Sequence, residues 1–250
     1  PFDVAQLPAV VRAYEEWKDT RDGEVPDVPF QMLTALDLGT SEWTAIARKA
    51  PWHMTRMNLN TFARHGVFEE KGMTDLMARR LADRTAVRRA RVFPYQLLAA
   101  SMNVGDGVPV RVTNALQDAM EHAIENVPVV PGRVAICPDV SGSMHSPVSG
   151  YRKGSSSKVR CVDVAALVAA AMLRKNPEAL VLPFMNDVVK CPLNPRDSVL
   201  TNAKKLASLP LGGTNCSAPL SWLNKHKRKV DLVFFVSDNE SWIDSPNYGW

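Results

Sequence analysis

The segment Pro-Asp-Val-Ser-Gly-Ser-Met at residues 138–144 directly follows a short apolar run at residues 134–137. An apolar run of this length predicts a buried strand. Asp139, Ser141 and Ser143 then lie in a loop at the carboxyl end of that strand, the edge at which open α/β sheets bind ligands. One carboxylate and two hydroxyls are hard oxygen donors, and such donors suit a divalent cation such as Mg2+.

Two later segments extend this pattern. Residues 211–215 read Leu-Gly-Gly-Thr-Asn, so Thr214 offers another hydroxyl on a glycine-rich loop, and Asp238 follows the apolar run at residues 230–237. Since parallel strands end at one edge of their sheet, we expect Asp139 and Asp238 to lie at the same edge. Each segment alone also fits a serine-rich turn or a helix-capping aspartate. Together, in this order, they favour a metal site.

The second half of the chain alternates between strand and helix patterns. Candidate strands are residues 133–138, 179–184, 187–190 and 231–237, and candidate helices are residues 159–175, 197–207 and 216–226. Such alternation predicts a doubly wound, Rossmann-like parallel sheet with helices on both faces. Because an α/β domain of this type normally continues beyond the Asp238 loop, we expect the sheet to be incomplete in this chain.

The first half of the chain shows no convincing strand pattern. Helices are predicted at about residues 8–19, 29–37, 41–49, 53–65, 73–82, 84–90, 94–103 and 109–126. Many short helices joined by tight turns suggest stacked pairs of HEAT type, although no clean repeat period is visible. Two prolines and a glycine within residues 127–132 predict the boundary between a helical domain at 1–130 and an α/β domain at 131–250.

The amino-acid composition indicates a protein of up to two globular domains, without a transmembrane helix or a signal peptide. The 250 residues are 46% hydrophobic and 22% charged, enough for two domains. No apolar run is long enough for a transmembrane helix. No signal-peptide pattern is present, and a start at Pro1 indicates a fragment. Four cysteines without zinc-type spacing favour a reducing, cytoplasmic compartment.

Charge is distributed unevenly along the chain. The net charge is +4, yet residues 1–42 carry three Lys and Arg against nine Asp and Glu, whereas residues 43–92 carry eleven against four. This asymmetry suggests a surface that binds a polyanion.

The oxygen donors described above closely resemble the metal-ion-dependent adhesion site of von Willebrand factor A domains. The resemblance implies that Ser141, Ser143 and Thr214 supply oxygen ligands to Mg2+, with Ca2+ or Mn2+ as alternatives. It also implies that Asp139 and Asp238 act directly or through water, and that a carboxylate of a protein partner fills an open position.

Three further segments resemble the Ro/TROVE family. They are residues 50–68 (Ala-Pro-Trp-His-Met-Thr-Arg-Met-Asn-Leu-Asn-Thr-Phe-Ala-Arg-His-Gly-Val-Phe), residues 88–100 and residues 237–242. That family joins a ring of helical repeats to one A domain in this order, and the chain resembles a bacterial-type member without the first part of the ring. The resemblance implies a non-catalytic protein that binds Y-like small RNAs and the single-stranded ends of misfolded RNAs. It also implies cooperation with a 3′ exonuclease in RNA decay.

Basic side chains of the helical region are the candidate RNA contacts. They are Arg56, Arg64 and His65, followed by Arg79, Arg80, Arg84, Arg88, Arg89 and Arg91. Arginine contacts phosphates and stacks on bases, and binding dominated by the RNA backbone depends on salt. Alternatively, several of these arginines pair with acids or cover apolar surface with their stems, and His65 serves as a structural hydrogen-bonding group.

Three other functions stay open at this point. An adhesion module without RNA binding would use the metal to hold a partner's Asp or Glu. A hydrolase would use Ser141 or Ser143 with His145, but no Gly-x-Ser-x-Gly elbow surrounds them. A chelatase partner also carries an A domain, but would lack the stretch at residues 52–68. No Walker P-loop supports nucleotide hydrolysis.

Overall fold

The structure is a computed structural model that describes residues 6–151, 157–238 and 241. The backbone forms two compact units. The first comprises residues 1–81 and 104–115, and the second comprises residues 82–103 and 116–250. The predicted domains at 1–130 and 131–250 divide the chain elsewhere, and that boundary stays a prediction.

The described part of the first unit is helical, as the sequence predicts. Its helices are α1 (Ala9–Thr20), α2 (Phe30–Thr34), α3 (Thr40–Lys49), α4 (Trp52–Met57), α5 (Leu59–Arg64) and α6 (Met73–Ala82), with a 3-10 turn at Val67–Glu69. No strand occurs among the residues of this unit that the structure describes. Stacking of these helices as HEAT repeats stays a prediction.

Aromatic side chains form the centre of the first unit. Phe62 of α5 is fully buried and meets Trp43 of α3 edge to face, with ring centroids 6.3 Å apart. The indole Nε1 of Trp52, at the start of α4, donates a hydrogen bond of 3.1 Å to the carbonyl of Leu81 in α6. Burial of these rings ties helices distant in sequence into one core, since each removes a large apolar area from water.

The prediction of a single helix at residues 53–65 is wrong, because the structure has two helices there. The helical segment divides at Asn58, whose φ of −114° and ψ of 16° end α4 and begin α5. The Asn58 side chain donates 2.9 Å to the carbonyl of Met54. Short polar side chains compete in this way with the backbone hydrogen bonds of a helix. The spacing of apolar residues does not reveal such a break in a helix.

The second unit combines helices with a small sheet. Its elements are α7 (Arg84–Ala90), α8 (Pro94–Met102), the second half of α9 (Val110–Ala123), β1 (Val134–Pro138), α10 (Cys161–Lys175), β2 (Leu180–Val181), α11 (Val199–Ala207), α12 (Ala218–Lys225) and β3 (Leu232–Val236). The strand order is β2-β1-β3. Both pairings are parallel, with Ala135 opposite Leu180 on one side and opposite Val233 on the other.

Helices cover both faces of this sheet. Ala135 and Cys137 of β1 pack in one cluster with Ala218 and Leu223 of α12. Residues of β3 that point the other way line a cleft with α10. Since side chains alternate across a strand, the two helices lie on opposite faces, and the predicted α/β architecture is confirmed.

Two predicted strands differ from the structure. Residues 179–184 give only the two-residue strand β2, and residues 187–190 form no strand. The chain instead turns back tightly, because Met185 N–H donates to the carbonyl of Asp187 and Val189 N–H donates to that of Pro183. Only an isolated bridge joins Phe184 and Val188. The apolar pair Val188-Val189 belongs to a turn too short for strand pairing.

Within the described ranges, no helix combines the length and hydrophobicity required to cross a bilayer.

Candidate functional site

Asp139 immediately follows the central strand, and its backbone is fixed by β3 on one side and by the segment after β2 on the other. Its N–H donates 2.9 Å to the carbonyl of Val236 in β3, and it forms a parallel bridge with Phe184. The side chain is completely buried. The sequence-based placement of this carboxylate at the carboxyl end of a buried strand therefore matches the structure.

Two hydrogen bonds orient the Asp139 carboxylate. Oδ1 accepts from the backbone N–H of Ser141 at 2.9 Å, and Oδ2 accepts from the hydroxyl of Ser237 at 2.6 Å. Each carboxylate oxygen has two lone pairs, so each keeps capacity for one further contact. Sequence reasoning missed Ser237, although a hydroxyl next to the strand-end Asp238 was an available signal.

Ser141 and Ser143 lie side by side in the loop after β1. Their Oγ atoms are 3.2 Å apart, Ser141 is fully buried and Ser143 is half-buried. A 3-10 turn at Ser143–His145 shapes the loop. The alternate spacing in Asp-x-Ser-x-Ser thus brings both hydroxyls next to the loop's carboxylate.

The glycine-rich loop before α12 meets this loop directly. Gly142 N–H donates 2.8 Å to the carbonyl of Gly212, and Asn215 N–H donates 2.8 Å to that of Met185. A Cβ at Gly212 would lie 2.5 Å from the Met185 sulfur, so a larger residue here would force the Met185 side chain to move. Thr214, between these anchors, is buried.

Asp238 lies at the same edge, two residues beyond the β3 residue that bonds Asp139. Its side chain is exposed. Burial raises the pKa of the Cys161 thiol at the amino end of α10, and the Asp238 charge raises this pKa further. The backbone thus brings the loops that carry the five predicted metal residues to one edge of the sheet. That these side chains form one metal site stays a prediction.

The donor set fits a hard cation. Asp139 is buried and forms no ion pair with any residue that the structure describes, so a bound cation would compensate its carboxylate. No group of three His, Cys, Asp or Glu gathers in the described ranges. The candidate ligands are therefore two carboxylates and three hydroxyls, a set typical of Mg2+ or Ca2+ rather than Zn2+.

A charged cluster beside this site escaped sequence reasoning. Arg160 donates 2.7 Å to Asp163 and lies 2.9 Å from Nδ1 of His145. A guanidinium only donates, so Nδ1 accepts and the ring proton is on Nε2. Burial and, secondarily, the Arg160 charge lower the His145 pKa. In the described part of the chain, the ring makes no hydrogen bond to Ser141 or Ser143, an arrangement that disfavours the hydrolase hypothesis.

The candidate RNA contacts of the first unit occupy different environments. Arg64 and Arg79 are exposed, and Arg56 is half-buried near the Trp52 ring, where burial lowers its pKa. His65 stacks on Trp43 with centroids 4.6 Å apart, so its ring packs within the unit, whereas the hydrogen-bonding role considered for it stays a prediction. The residues therefore do not form one uniform exposed surface.

The Arg80 side chain forms hydrogen bonds within the protein. Its guanidinium donates 2.7 Å to the carbonyl of Ala47, 2.6 Å to that of Arg48 and 3.0 Å to the Thr55 hydroxyl. These bonds join α6 to the end of α3 and to α4. Three of its five N–H donors are engaged within the protein, so at most two remain for a phosphate.

We expect Arg80→Met to lower the free energy of unfolding by about 2 kcal/mol, because two carbonyls and a hydroxyl lose a charged donor. The exposed neighbour provides the control, since Arg79→Gln should change it by less than about 0.5 kcal/mol. Urea denaturation followed by circular dichroism measures both. A stable Arg80→Met protein with weakened RNA binding would contradict this structural role.

The candidates of the second unit lie on or just after α7. Arg84 pairs with Glu125. Arg88, Arg89 and Arg91 are exposed and form no ion pair among the described residues. Close by in sequence, two exposed rings stack with centroids 6.4 Å apart and planes 14° from parallel. These rings belong to Phe93 and Tyr95, which sequence reasoning had not singled out as site residues.

Comparison with known proteins supplies the family. Residues 133–247 match the family model of the Ro60 vWA domain. The resemblance noted at residues 239, 240 and 242 falls within this match but lies outside the described residues.

Two curated relatives match a large share of the chain. One is the RNA-binding protein RO60 of Deinococcus radiodurans, 31% identical over 208 residues, covering 74% of this chain and 36% of the relative. The other is the RNA-binding protein RO60 of Caenorhabditis elegans, 27% identical over 201 residues, covering 76% of this chain and 30% of the relative. The chain thus spans about a third of the length of each.

A solved structure extends the match to both units. The crystal structure of the Deinococcus radiodurans RO (RSR) protein aligns with a TM-score of 0.67 and 25% identity, covering 93% of this chain and 47% of the solved one. The mixed helical and parallel-sheet fold agrees with this match. The chain therefore belongs to the Ro/TROVE family and carries that family's von Willebrand factor A domain after a helical region.

Proposed function

We propose that this chain is part of a non-catalytic RNA-binding protein of the Ro type. The proposed ligands are Y-like small RNAs and the single-stranded ends of misfolded RNAs, in RNA quality control or decay together with a 3′ exonuclease. Both curated relatives are named RNA-binding proteins, which supports the general activity. The choice of RNA and the exonuclease partner follow from the family resemblance.

The observation that carries RNA binding is a surface on residues 88–95, which we term the α7–α8 surface. Its three exposed arginines form no ion pair within the described chain, although the bond from Arg84 and, to a lesser extent, the charge of Arg88 lower the pKa of Glu125. The charges of Arg89 and Arg91 in particular are therefore available to phosphates. Phe93 and Tyr95 remain 43% and 39% exposed. Exposed rings that follow exposed arginines in sequence suit unpaired bases, which stack on aromatic faces while phosphates contact the cations.

The test removes the charge of this surface. We expect the triple change Arg88→Gln, Arg89→Gln and Arg91→Gln to weaken binding of a fluorescent thirty-nucleotide oligouridylate about tenfold at low salt. The slope of log affinity against log salt should become shallower by about 2, because about 0.7 counterions are released per phosphate contact with single strands. Fluorescence anisotropy at several KCl concentrations measures both quantities.

A control variant with the same loss of charge makes the result specific. Lys190, Arg196 and Lys204 are exposed in the same unit and lie outside the α7–α8 surface. Their triple change to glutamine should leave affinity and slope close to those of the unchanged protein. Equal weakening by both triple variants would show only non-specific charge attraction and would remove the α7–α8 surface from the proposal.

We further propose that Asp139, Ser141, Ser143, Thr214 and Asp238 hold a divalent metal, most simply Mg2+, with Ca2+ or Mn2+ as alternatives. The buried Asp139 carboxylate, which forms no ion pair among the described residues, supports this assignment. Such a metal supplies an open coordination position, which an Asp or Glu of a protein partner would fill. The residues of this chain position the donors and bury the central carboxylate.

A second candidate function uses the metal site alone. An adhesion or scaffold module without RNA binding would be supported if the unchanged protein bound Mg2+ but failed to bind the oligouridylate. A cytoplasmic location belongs to either proposal. All four cysteines are free, which suits a reducing compartment.

A further inference from the structure

A basic cleft, distinct from the Asp139 site, lies at the amino ends of the strands. Its volume is about 400 Å³, within the range of roughly 300–1,000 Å³ typical of ligand pockets. Val134, Leu180 and Val230 contribute apolar wall, and the charged lining residues are Arg133, Glu178, Lys227, Arg228 and Lys229. We call this feature the basic cleft.

Local backbone geometry gathers three of its cations. Helix α12 ends at Lys225, and the chain reverses through Lys227, which adopts a left-handed φ of 52°. Arg228 N–H then donates 2.9 Å to the carbonyl of Leu223. This turn leads the chain toward β3 and holds consecutive basic residues at the mouth of the cleft.

The fourth cation is neutralised by a carboxylate outside the lining. Arg133 contacts Asp231 through Nη2 at 3.0 Å and Nε at 3.1 Å. The side-chain bond from Arg133, with the bond from its backbone N–H, lowers the Asp231 pKa to about 2, so the pair stays charged at neutral pH. Arg133 is thereby held in place as one rim of the cleft.

The remaining cations have no such compensation. Lys227, Arg228 and Lys229 are exposed and form no ion pair within the part of the chain that the structure describes. Glu178 is the sole carboxylate among the described lining residues. Favourable interaction with the dipole at the carboxyl end of α12 explains only Lys225, which lies in the last turn of that helix. The excess positive charge therefore favours an anionic ligand.

We infer that the basic cleft binds phosphate groups of an RNA backbone, as a second contact separate from the α7–α8 surface. This inference rests on the proposed RNA-binding function. Lysine and arginine at the rim of an open cleft suit a repeated phosphodiester, which they hold by charge-assisted hydrogen bonds without reading bases. The cleft and the Asp139 site lie at opposite strand ends, so RNA and metal can be bound together.

The first experiment compares two variants that lose the same formal charge. The triple change Lys227→Gln, Arg228→Gln and Lys229→Gln should weaken binding of the thirty-nucleotide oligouridylate about fivefold and make the salt slope shallower by 1 to 2, or about 0.7 per lost contact. The control triple at Lys190, Arg196 and Lys204 should match the unchanged protein. Equal affinity of the cleft variant and the control would overturn the inference.

A footprinting experiment on the unchanged chain avoids any effect of substitution on folding. Acetylation of lysines, read by mass spectrometry, should slow at least threefold at Lys227 and Lys229 when the oligouridylate is saturating. Lys190 and Lys204 should react at the same rate with and without RNA. Unprotected Lys227 and Lys229 in protein that demonstrably holds RNA would refute the cleft while leaving the proposed function intact. Failure of the unchanged protein to bind RNA would refute both.

Discussion

Replacement of Asp139 by asparagine is expected to lower the affinity for Mg2+ by about a hundredfold or more, since even groups that only orient metal ligands contribute roughly 10–100-fold. Asparagine keeps the size of the side chain and can accept the Ser141 N–H bond. It removes the negative charge that the buried position offers to a cation. Isothermal titration calorimetry with MgCl2 measures the change directly.

Thermal unfolding gives an independent measure of the same effect. A ligand at about 100 times its dissociation constant stabilises the folded state by about 2.7 kcal/mol. The unchanged protein should gain this stability with Mg2+, and the Asp139→Asn variant should not. The exposed Asp118 provides the control, because Asp118→Asn removes the same charge on the surface of α9. Oligouridylate affinity should be similar in all three proteins.

Full Mg2+ affinity in a correctly folded Asp139→Asn protein would refute the metal centre. If that variant instead unfolds, Asp238→Asn decides the question, since Asp238 is exposed and contributes little to the core. It should weaken Mg2+ binding without a comparable loss of stability.

Replacement of Phe184 by alanine is expected to lower the free energy of unfolding by about 3–5 kcal/mol, as is typical of large aromatic truncations in a packed core. Phe184 is fully buried and meets Phe235 edge to face with centroids 5.8 Å apart. Its carbonyl also accepts 2.9 Å from Val140 N–H, directly beside Asp139. The cavity would therefore form immediately beneath the candidate metal loop.

Phe184→Leu is the matched control, because leucine refills much of the volume and should cost less than about 1.5 kcal/mol. Urea denaturation provides the free energies. The alanine variant should also bind Mg2+ more weakly, whereas the leucine variant should bind it normally. A loss of less than about 1 kcal/mol in the alanine variant would contradict the central packing role of this ring.

The loop after β1 was predicted correctly from local sequence patterns. An apolar run followed by Asp-x-Ser-x-Ser places Asp139 at a strand end without any knowledge of the neighbours. The second strand and Asp238 follow by the same rule. Bonds from Gly142 to Gly212 and from Ser237 to Asp139 confirm that these loops meet at one sheet edge.

The partners of the candidate RNA-binding arginines could not be predicted from local sequence. Arg79 and Arg80 are neighbours with the same chemistry, yet one is exposed while the other donates to Ala47, Arg48 and Thr55. Arg84 pairs with Glu125, 41 positions away. The distribution of charged residues along the sequence predicts none of these partners, because each contact depends on how the helices pack.

Apart from the helix that divides at Asn58 and the strand that does not form at residues 187–190, the sequence by itself determined the succession of helices and strands. It also determined the oxygen donors at the strand ends and the concentration of positive charge in residues 43–92. Those features depend on local periodicity and on residue chemistry, which a chain carries into any fold. Only the tertiary structure decided which cations stay available, which hydroxyl supports Asp139 and that Arg133 shares a cleft with residues 227–229. Such groupings join positions about a hundred residues apart, and packing of strands and helices alone brings them within reach.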